Sequence, residues 1–343
     1  MTENQFLQEL ENALLRLPEE ERKDILQDIR EYFSNARIDG KSDKEIADEL
    51  GLPSEIAAEL IESYDFNKAE TPLKTIDLAK DEFDKVDIQI DNGDLIIASS
   101  NDGRMHVDVE DKSYKQQLNV DILNRTLVIN LKEEVKKWSI FSFTINMRSP
   151  IVTVQLPQKL YEQIKMETDN GQIKGENLES INFMAETDNG RIQLKQMKAS
   201  IFHAESDNGA IELDSIQTNA LSAESDNGRI ELANIQTSNI ALETNNGRIS
   251  MAKIEAETIH AKTDNGRINL LTDGLERNID LKTDNGSITV ESLTPPANVT
   301  IRSAVSHNRI SIFGEKNPQV VYGQGSNLIK LKSDNGSITV KQL

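Results

Sequence analysis

Carboxylates at regular spacing are the first residues in this chain that could do chemistry. Asp169, Asp188, Asp207, Asp226, Asp264, Asp284 and Asp334 each stand immediately before an Asn-Gly pair. Asp-bearing turns of some β-rolls collect Ca²⁺, which makes Asp188, Asp207 and Asp226 weak candidates for such a site. One carboxylate per turn is too sparse for six oxygen ligands unless both sides of the turn contribute. The competing reading is an Asx-turn hydrogen bond to the local backbone. Arg191, Arg229, Arg248 and Arg267, each directly after the Gly, are placed to neutralise these acids. The expectation is a chain with no resident metal and no cofactor.

Other chemistry-bearing residues are weighed in the same way. Glu167, Glu186, Glu205, Glu224 and Glu243 recur as an outward column that changes sign at Lys262, Lys282 and Lys332. A striped face of this kind suits a basic partner or is simply solvated. The four histidines are His106, His203, His260 and His307. His203 and His260 fall in one column three repeats apart, roughly 14 Å at strand spacing, too far to share one ion. All four are read as incidental. Trp138, Phe141 and Phe143 behind Lys136 and Lys137 suit a membrane interface or partner, or a cap on an open β-end. Paired carboxylates of a polysaccharide-cleaving β-helix are the enzyme alternative. No pair departs from the repeat in a way that marks a catalytic cleft. Absence of cysteine excludes disulfides, thiolate metal sites and Cys nucleophiles.

The elements that carry these residues are set by a repeat. Asp-Asn-Gly or a close variant places Gly171, Gly190, Gly209, Gly228, Gly247 and Gly266 at steps of 19 residues, followed by Gly286 and Gly336. His307-Asn308 stands where a further copy is expected. Two residues after each Gly is an Ile, from Ile173 to Ile338, and three before it is a Thr or Ser. Both flanks alternate with period two, as half-buried strands do. An Asn-Gly turn between such flanks is also a strong hairpin signal. Uniform columns favour parallel stacking, in which Ile lies on Ile and Asn on Asn in every rung. The reading is a mainly β chain, a parallel β-solenoid of about 19-residue rungs, with Gly and Asn at a corner that needs positive φ.

Residues 1–70 carry 19 acidic against 8 basic side chains and read as helices. Thr2 with Gln5, and Ser42 with Glu45, form capping boxes. Pro18 opens the second helix at its first position, Gly40 and Gly51 stop helices, and Ser54 starts the last one. Apolar stripes at Phe6, Leu10, Leu14, Ile25, Ile29, Phe33, Ile46 and Leu50 predict a small all-α bundle. EIADELGLPSEIAAELI has a helix-turn-helix rhythm, but Glu55, Glu59 and Glu62 on the would-be recognition helix repel phosphates. With a net charge of −20, nucleic acid is excluded as a partner. No run of about 18 apolar residues spans a membrane.

The segments IDNGDLII, IVTVQLP, METDNGQI, AETDNGRI and AESDNGRI resemble the bacterial putative-adhesin family of β-strand-repeat domains, over about residues 75–340. LPEEER and LGLPSEIAAEL resemble the short helical signalling domain that begins many Firmicute membrane-associated proteins. The resemblance implies a β-solenoid, an association with the surface or with envelope stress, and no established catalytic residue. The expected organisation is an acidic helical bundle at 1–65, a linker at 66–75, N-terminal β-rungs and cap at 76–160, and the Asp-Asn-Gly solenoid at 161–343. The expected function is non-enzymatic binding or scaffolding, with a surface adhesin or a glycan-active β-helix enzyme as alternatives. A protein partner is expected at the helical head or a solenoid face. No signal peptide or anchor is legible, which predicts a cytoplasmic protein, with a membrane-peripheral one as a further option and a cell-surface one exported by another route as the alternative.

Overall fold

A computed structural model describes residues 1–38, 40–63, 82–110, 116–133, 149–306 and 309–343. The expected linker at 66–75, the aromatic cluster Trp138, Phe141 and Phe143, and the His307-Asn308 pair lie outside the described residues. Two compact units are present, one helical and one β.

The helical unit holds α1 (Glu3–Ala13), α2 (Glu19–Ile38), α3 (Asp43–Leu50) and α4 (Pro53–Ser63). Both capping boxes form, at Thr2 with Gln5 and at Ser42 with Glu45, so the first free N–H groups of α1 and α3 find acceptors. Gly51 ends α3 with φ +85°. Two helix starts differ from expectation. The Pro18 carbonyl accepts from Arg22 N–H, making Pro18 the cap of α2 rather than its first residue. Pro53, not Ser54, begins α4, where its missing N–H costs nothing. Phe6, Leu10, Leu14, Phe33, Ile46 and Leu50 close a core in which Phe6 and Phe33 meet edge-to-face at 5.6 Å.

The β unit is a parallel stack. Each rung gives one strand to a 13-stranded sheet and the next to a 12-stranded sheet. Along the first sheet Phe183, Phe202, Leu221, Ile240, Ile259 and Ile279 pair in sequence. Along the second, Ile192, Ile211, Ile230, Ile249, Ile268 and Ile288 do the same. The antiparallel-hairpin alternative for the repeat is thereby excluded. Both columns are buried between the sheets. The Phe183 and Phe202 rings stack with centroids 4.8 Å apart and planes 6° from parallel, so ring spacing repeats rung spacing.

At the Asn-Gly corner the structure corrects the expected role of glycine. Gly171, Gly190, Gly209, Gly228, Gly247, Gly266, Gly286 and Gly336 do not adopt positive φ. An ideal Cβ on Gly190 would lie 1.6 Å from the carbonyl oxygen of Gly171, and from Gly209 to Gly336 the same clash recurs at 1.6–1.8 Å. Glycine is required because successive backbones touch along the stack. Positive φ falls instead at the opposite corner, six residues after the glycines, at Asn177, Gln196, Ser215, Asn234 and Lys253, with φ of 53–58°.

Two side-chain ladders lock the Asn-Gly corner. The buried Thr187 hydroxyl donates to the Gly171 carbonyl at 3.1 Å and accepts from Gly190 N–H at 3.0 Å. Ser206, Thr244, Thr263, Thr283 and Ser333 repeat this bridge. Outside it, each Asn amide donates to the Asn carbonyl oxygen one rung below, from Asn170 on Asn92 up to Asn335 on Asn285.

Spatial order departs from chain order at both ends. The Gly93 rung lies directly under the Gly171 rung, with Lys85–Ile90 against Leu160–Thr168. The chain between them passes outward through Thr126–Glu133 and ends the first sheet on antiparallel Gln116–Leu123. Likewise the Gly336 rung sits directly on the Gly286 rung, Ile338 against Ile288. The intervening strands Val299–Val305, Ile310–Ile312 and antiparallel Gln319–Tyr322 lie beyond it. Antiparallel strands close both ends of the first sheet and break the parallel template on which another chain could pair. No helix among the described residues is long and apolar enough to cross a membrane.

Candidate functional site

The outer face of the second sheet bears a groove of about 650 Å³. It runs over the six strands from Ile192–Lys195 to Ile288–Ser292, about 24 Å at strand spacing. Strand alternation positions its lining, because residues three and five after each Gly point outward while those two and four after point into the core. Ala233, Ala252 and Leu271 form a half-exposed apolar floor in successive rungs. Glu212, Glu231, Ser250 and Asn269 form a polar row beside it.

One stretch of that row is a charge ladder. Arg229 reaches Glu212 at 2.6 Å and Glu231 at 3.1 Å, Arg248 pairs with the same Glu231, and Gln193 donates to Glu212 at 2.6 Å. The Arg248 hydrogen bond, with the positive charge of Arg229, holds the Glu231 carboxyl below its ordinary value against the opposing effect of burial. Arg191, Arg229 and Arg248 therefore pair with glutamates of the second sheet rather than, as expected, with the Asp ladder. Their side chains turn along the second sheet, with Arg191 at 3.8 Å from Glu212. At the far end Glu291 is tied to Lys341 at 2.7 Å. The sequence signal for this ladder is an Arg one residue after a Gly and a Glu three after, in neighbouring repeats. The aspartates, nearer to each Arg along the chain, mask it.

The Asp ladder occupies the Asn-Gly corner as one carboxylate per rung, with Asp188, Asp207 and Asp226 exposed. Partial burial, and the negative charges of Asp188, Asp91 and Glu167, push the Asp169 carboxyl above its ordinary value. In the fifth repeat Asn245 replaces the acid and donates to Asp226 at 2.8 Å. Among the described residues, the set of three His, Asp or Glu side chains whose ligand atoms converge within 4.8 Å is elsewhere, at Glu186, His203 and Glu205.

The histidines are not equivalent. His106 sits 2.9 Å from the Asp102 carboxylate at the N-terminal edge. His203 lies between Ser222 and Glu205, with ring nitrogens at 2.8 and 3.1 Å. It is therefore not the isolated side chain the sequence suggests. His260 shares its column, three in-register steps along. On the Glu column, the sign change is a contact between rungs, with the Lys262 ammonium on Glu243.

The family described as Toastrack DUF4097 matches residues 83–341, and the family described as HAAS matches residues 5–59. No curated protein matches the chain. Several solved structures are similar to it. One, described as a putative adhesin from Bacteroides fragilis NCTC 9343, is 18% identical over 79% of this chain and 98% of its own, with a TM-score of 0.41. Another, described as a putative lipid binding protein from Parabacteroides distasonis ATCC 8503, is 12% identical over 77% of this chain and 94% of its own, with a TM-score of 0.47.

Proposed function

This chain belongs to the Toastrack DUF4097 family and carries an N-terminal HAAS domain; from that premise we propose that it is a non-catalytic binding scaffold whose second sheet receives an extended polypeptide segment. The observation that carries this reading is the groove itself, an apolar row of Ala233, Ala252 and Leu271 beside the ion-paired Glu212 and Glu231. Glu212 and Glu231 are engaged by Arg229 and Arg248, so neither is free to act as an acid or base pair on a substrate. The backbone of a parallel sheet is hydrogen-bonded internally, so recognition falls to side chains. A segment with apolar residues flanked by basic ones fits the floor and is steered by the net charge of −20.

The helical head, with its own core, serves in this reading as a second contact for the same assembly. Its resemblance to helical signalling domains motivates placing that assembly in cell-envelope signalling.

A photo-reactive amino acid at Ser250, in the groove, should give adducts with a polypeptide partner. The same label at Glu224, on the outer face of the other sheet, should not. Ala252→Arg should suppress the Ser250 adduct, and a chain lacking residues 1–65 should weaken it. Equal labelling from both faces would contradict the assignment of the groove. Turnover of any member of an oligosaccharide panel would contradict the non-catalytic reading.

A further inference from the structure

On the outward face of the first sheet an imidazole stands beside two carboxylates. His203 and Glu205 are two residues apart on Lys198–Ser206 and so share a face. In-register pairing sets Glu186 directly against Glu205, one rung away. His203 Nε2 is 3.1 Å from the Glu205 carboxylate, and one ligand atom from each of the three residues falls within 4.8 Å of the others. The side chains of Glu186, His203 and Glu205 are 29%, 20% and 47% exposed, sheltered yet open to solvent on one side.

The second ring nitrogen gives the cluster its direction. His203 Nδ1 is 2.8 Å from the Ser222 hydroxyl on the next strand. With Nδ1–H donating to that hydroxyl, Nε2 presents a lone pair toward two carboxylates, the arrangement in which an outer partner fixes a metal-binding tautomer. Without a cation, a proton shared at the 3.1 Å contact between Nε2 and Glu205 relieves the repulsion of these donors, and a bound ion takes that proton's place. Lys165 borders the cluster, but its ammonium lies nearer Glu167, at 3.0 Å, than Glu186, at 3.7 Å.

The chain supplies its own comparison. His260 occupies the same column, but the residue two further along its strand is Lys262, which pairs with Glu243. An ammonium there replaces the carboxylate that Glu205 offers His203. The column therefore does not by itself make the cluster; the two glutamates do.

We infer that Glu186, His203 and Glu205 form a site for a first-row divalent cation, for which Zn²⁺ is the reference probe. One imidazole with two carboxylates is a donor set for Zn²⁺ and its neighbours, whereas Ca²⁺ and Mg²⁺ prefer oxygen alone. Bonds of about 2.0–2.2 Å in a tetrahedron place donors about 3.3–3.6 Å apart, so separations within 4.8 Å need close by no more than about 1.5 Å. Rotation of the half-exposed Glu205 supplies that. Three protein ligands leave a fourth position for water or for a ligand from outside. The bound ion would tie two neighbouring rungs together through their side chains.

Isothermal titration of ZnCl₂ into the chelator-treated full chain tests this. One equivalent should bind in the micromolar range or tighter. His203→Ala and Glu186→Gln should each weaken it by at least about tenfold, and Ser222→Ala by a lesser factor. His260→Ala should leave it unchanged. Far-UV circular dichroism of each variant checks that the stack is intact, and Co²⁺ substitution should give visible absorption that His203→Ala abolishes. A His203→Ala chain that binds Zn²⁺ like the wild type, or a wild-type chain that takes up none, overturns the assignment.

Discussion

The carbonyl oxygen of Gly190 lies 1.6 Å from where a Cβ on Gly209 would stand. No rotamer relieves that collision, because both parties are backbone. Gly209→Ala should therefore force the two rungs apart and cost about 3 kcal/mol, at the upper end for an added methylene. Hydrogen exchange should accelerate first at the amides of these rungs. Unchanged protection there would show that the close approach is not obligatory.

The opposite corner predicts the reverse. Lys253 holds φ +55° although it is not glycine. The left-handed conformation costs an ordinary residue roughly 1–2 kcal/mol, and glycine's extra chain entropy returns some of that. Lys253→Gly should be neutral or stabilising by up to about 1 kcal/mol. Lys253→Val should destabilise clearly, since a branched Cβ suits this region least. Urea denaturation of the two variants gives the comparison, and a stabilising Lys253→Val would refute it.

Thr244 donates to the Gly228 carbonyl and accepts from Gly247 N–H, each at 3.0 Å, while fully buried. Thr244→Val keeps the shape and strands both backbone groups, which should cost about 1–3 kcal/mol. Thr244→Ser should be mild, because Ser206 and Ser225 already occupy the column. Equal stability of the Val and Ser variants would mean that the hydroxyl bridge contributes nothing.

Asp169 has its carboxyl raised by partial burial and by Asp188, Asp91 and Glu167. A raised folded-state value means that the ionised form destabilises the fold. The penalty is fully present above that value and absent below the ordinary carboxylate range. Asp169→Asn should therefore raise the melting temperature at neutral pH, and the gain should shrink to nothing as pH falls through the acid range. A loss of stability on this substitution in Ca²⁺-containing buffer would instead favour a cation on the Asp ladder.

Much of the stack is legible in the residues because one-dimensional periodicity becomes three-dimensional register. The Ile column from Ile192 to Ile288 and the Thr or Ser column are contacts between identical positions, so their spacing along the chain sets their neighbours in space. The reason for glycine is not legible. Asn-Gly signals positive φ in an isolated turn, but here the constraint comes from the neighbouring rung, which no local pattern contains. Excursions at the ends are hidden for the same reason. Nothing in the residues near Gly336 says that its rung rests on that of Gly286. The Glu186, His203 and Glu205 cluster needs one spacing of two and one of nineteen at once. Comparing histidines with each other, rather than with the Glu column, does not reveal it.

In-register parallel stacking of rungs is the claim on which every column, groove and ladder depends. The chain has no cysteine, so paired spin labels can be placed without background. Gln193, Glu212, Glu231, Ser250, Asn269, Thr289 and Thr339 succeed one another along the outer face of the second sheet. Pulsed dipolar distances from Gln193 to Asn269, Thr289 and Thr339 should come out near roughly 19, 24 and 29 Å, rising by about 4.8 Å per rung. That last step holds even though fifty residues separate Thr289 from Thr339 in the chain. Distances that follow sequence separation, or that fail to rise by a constant step, would contradict the account.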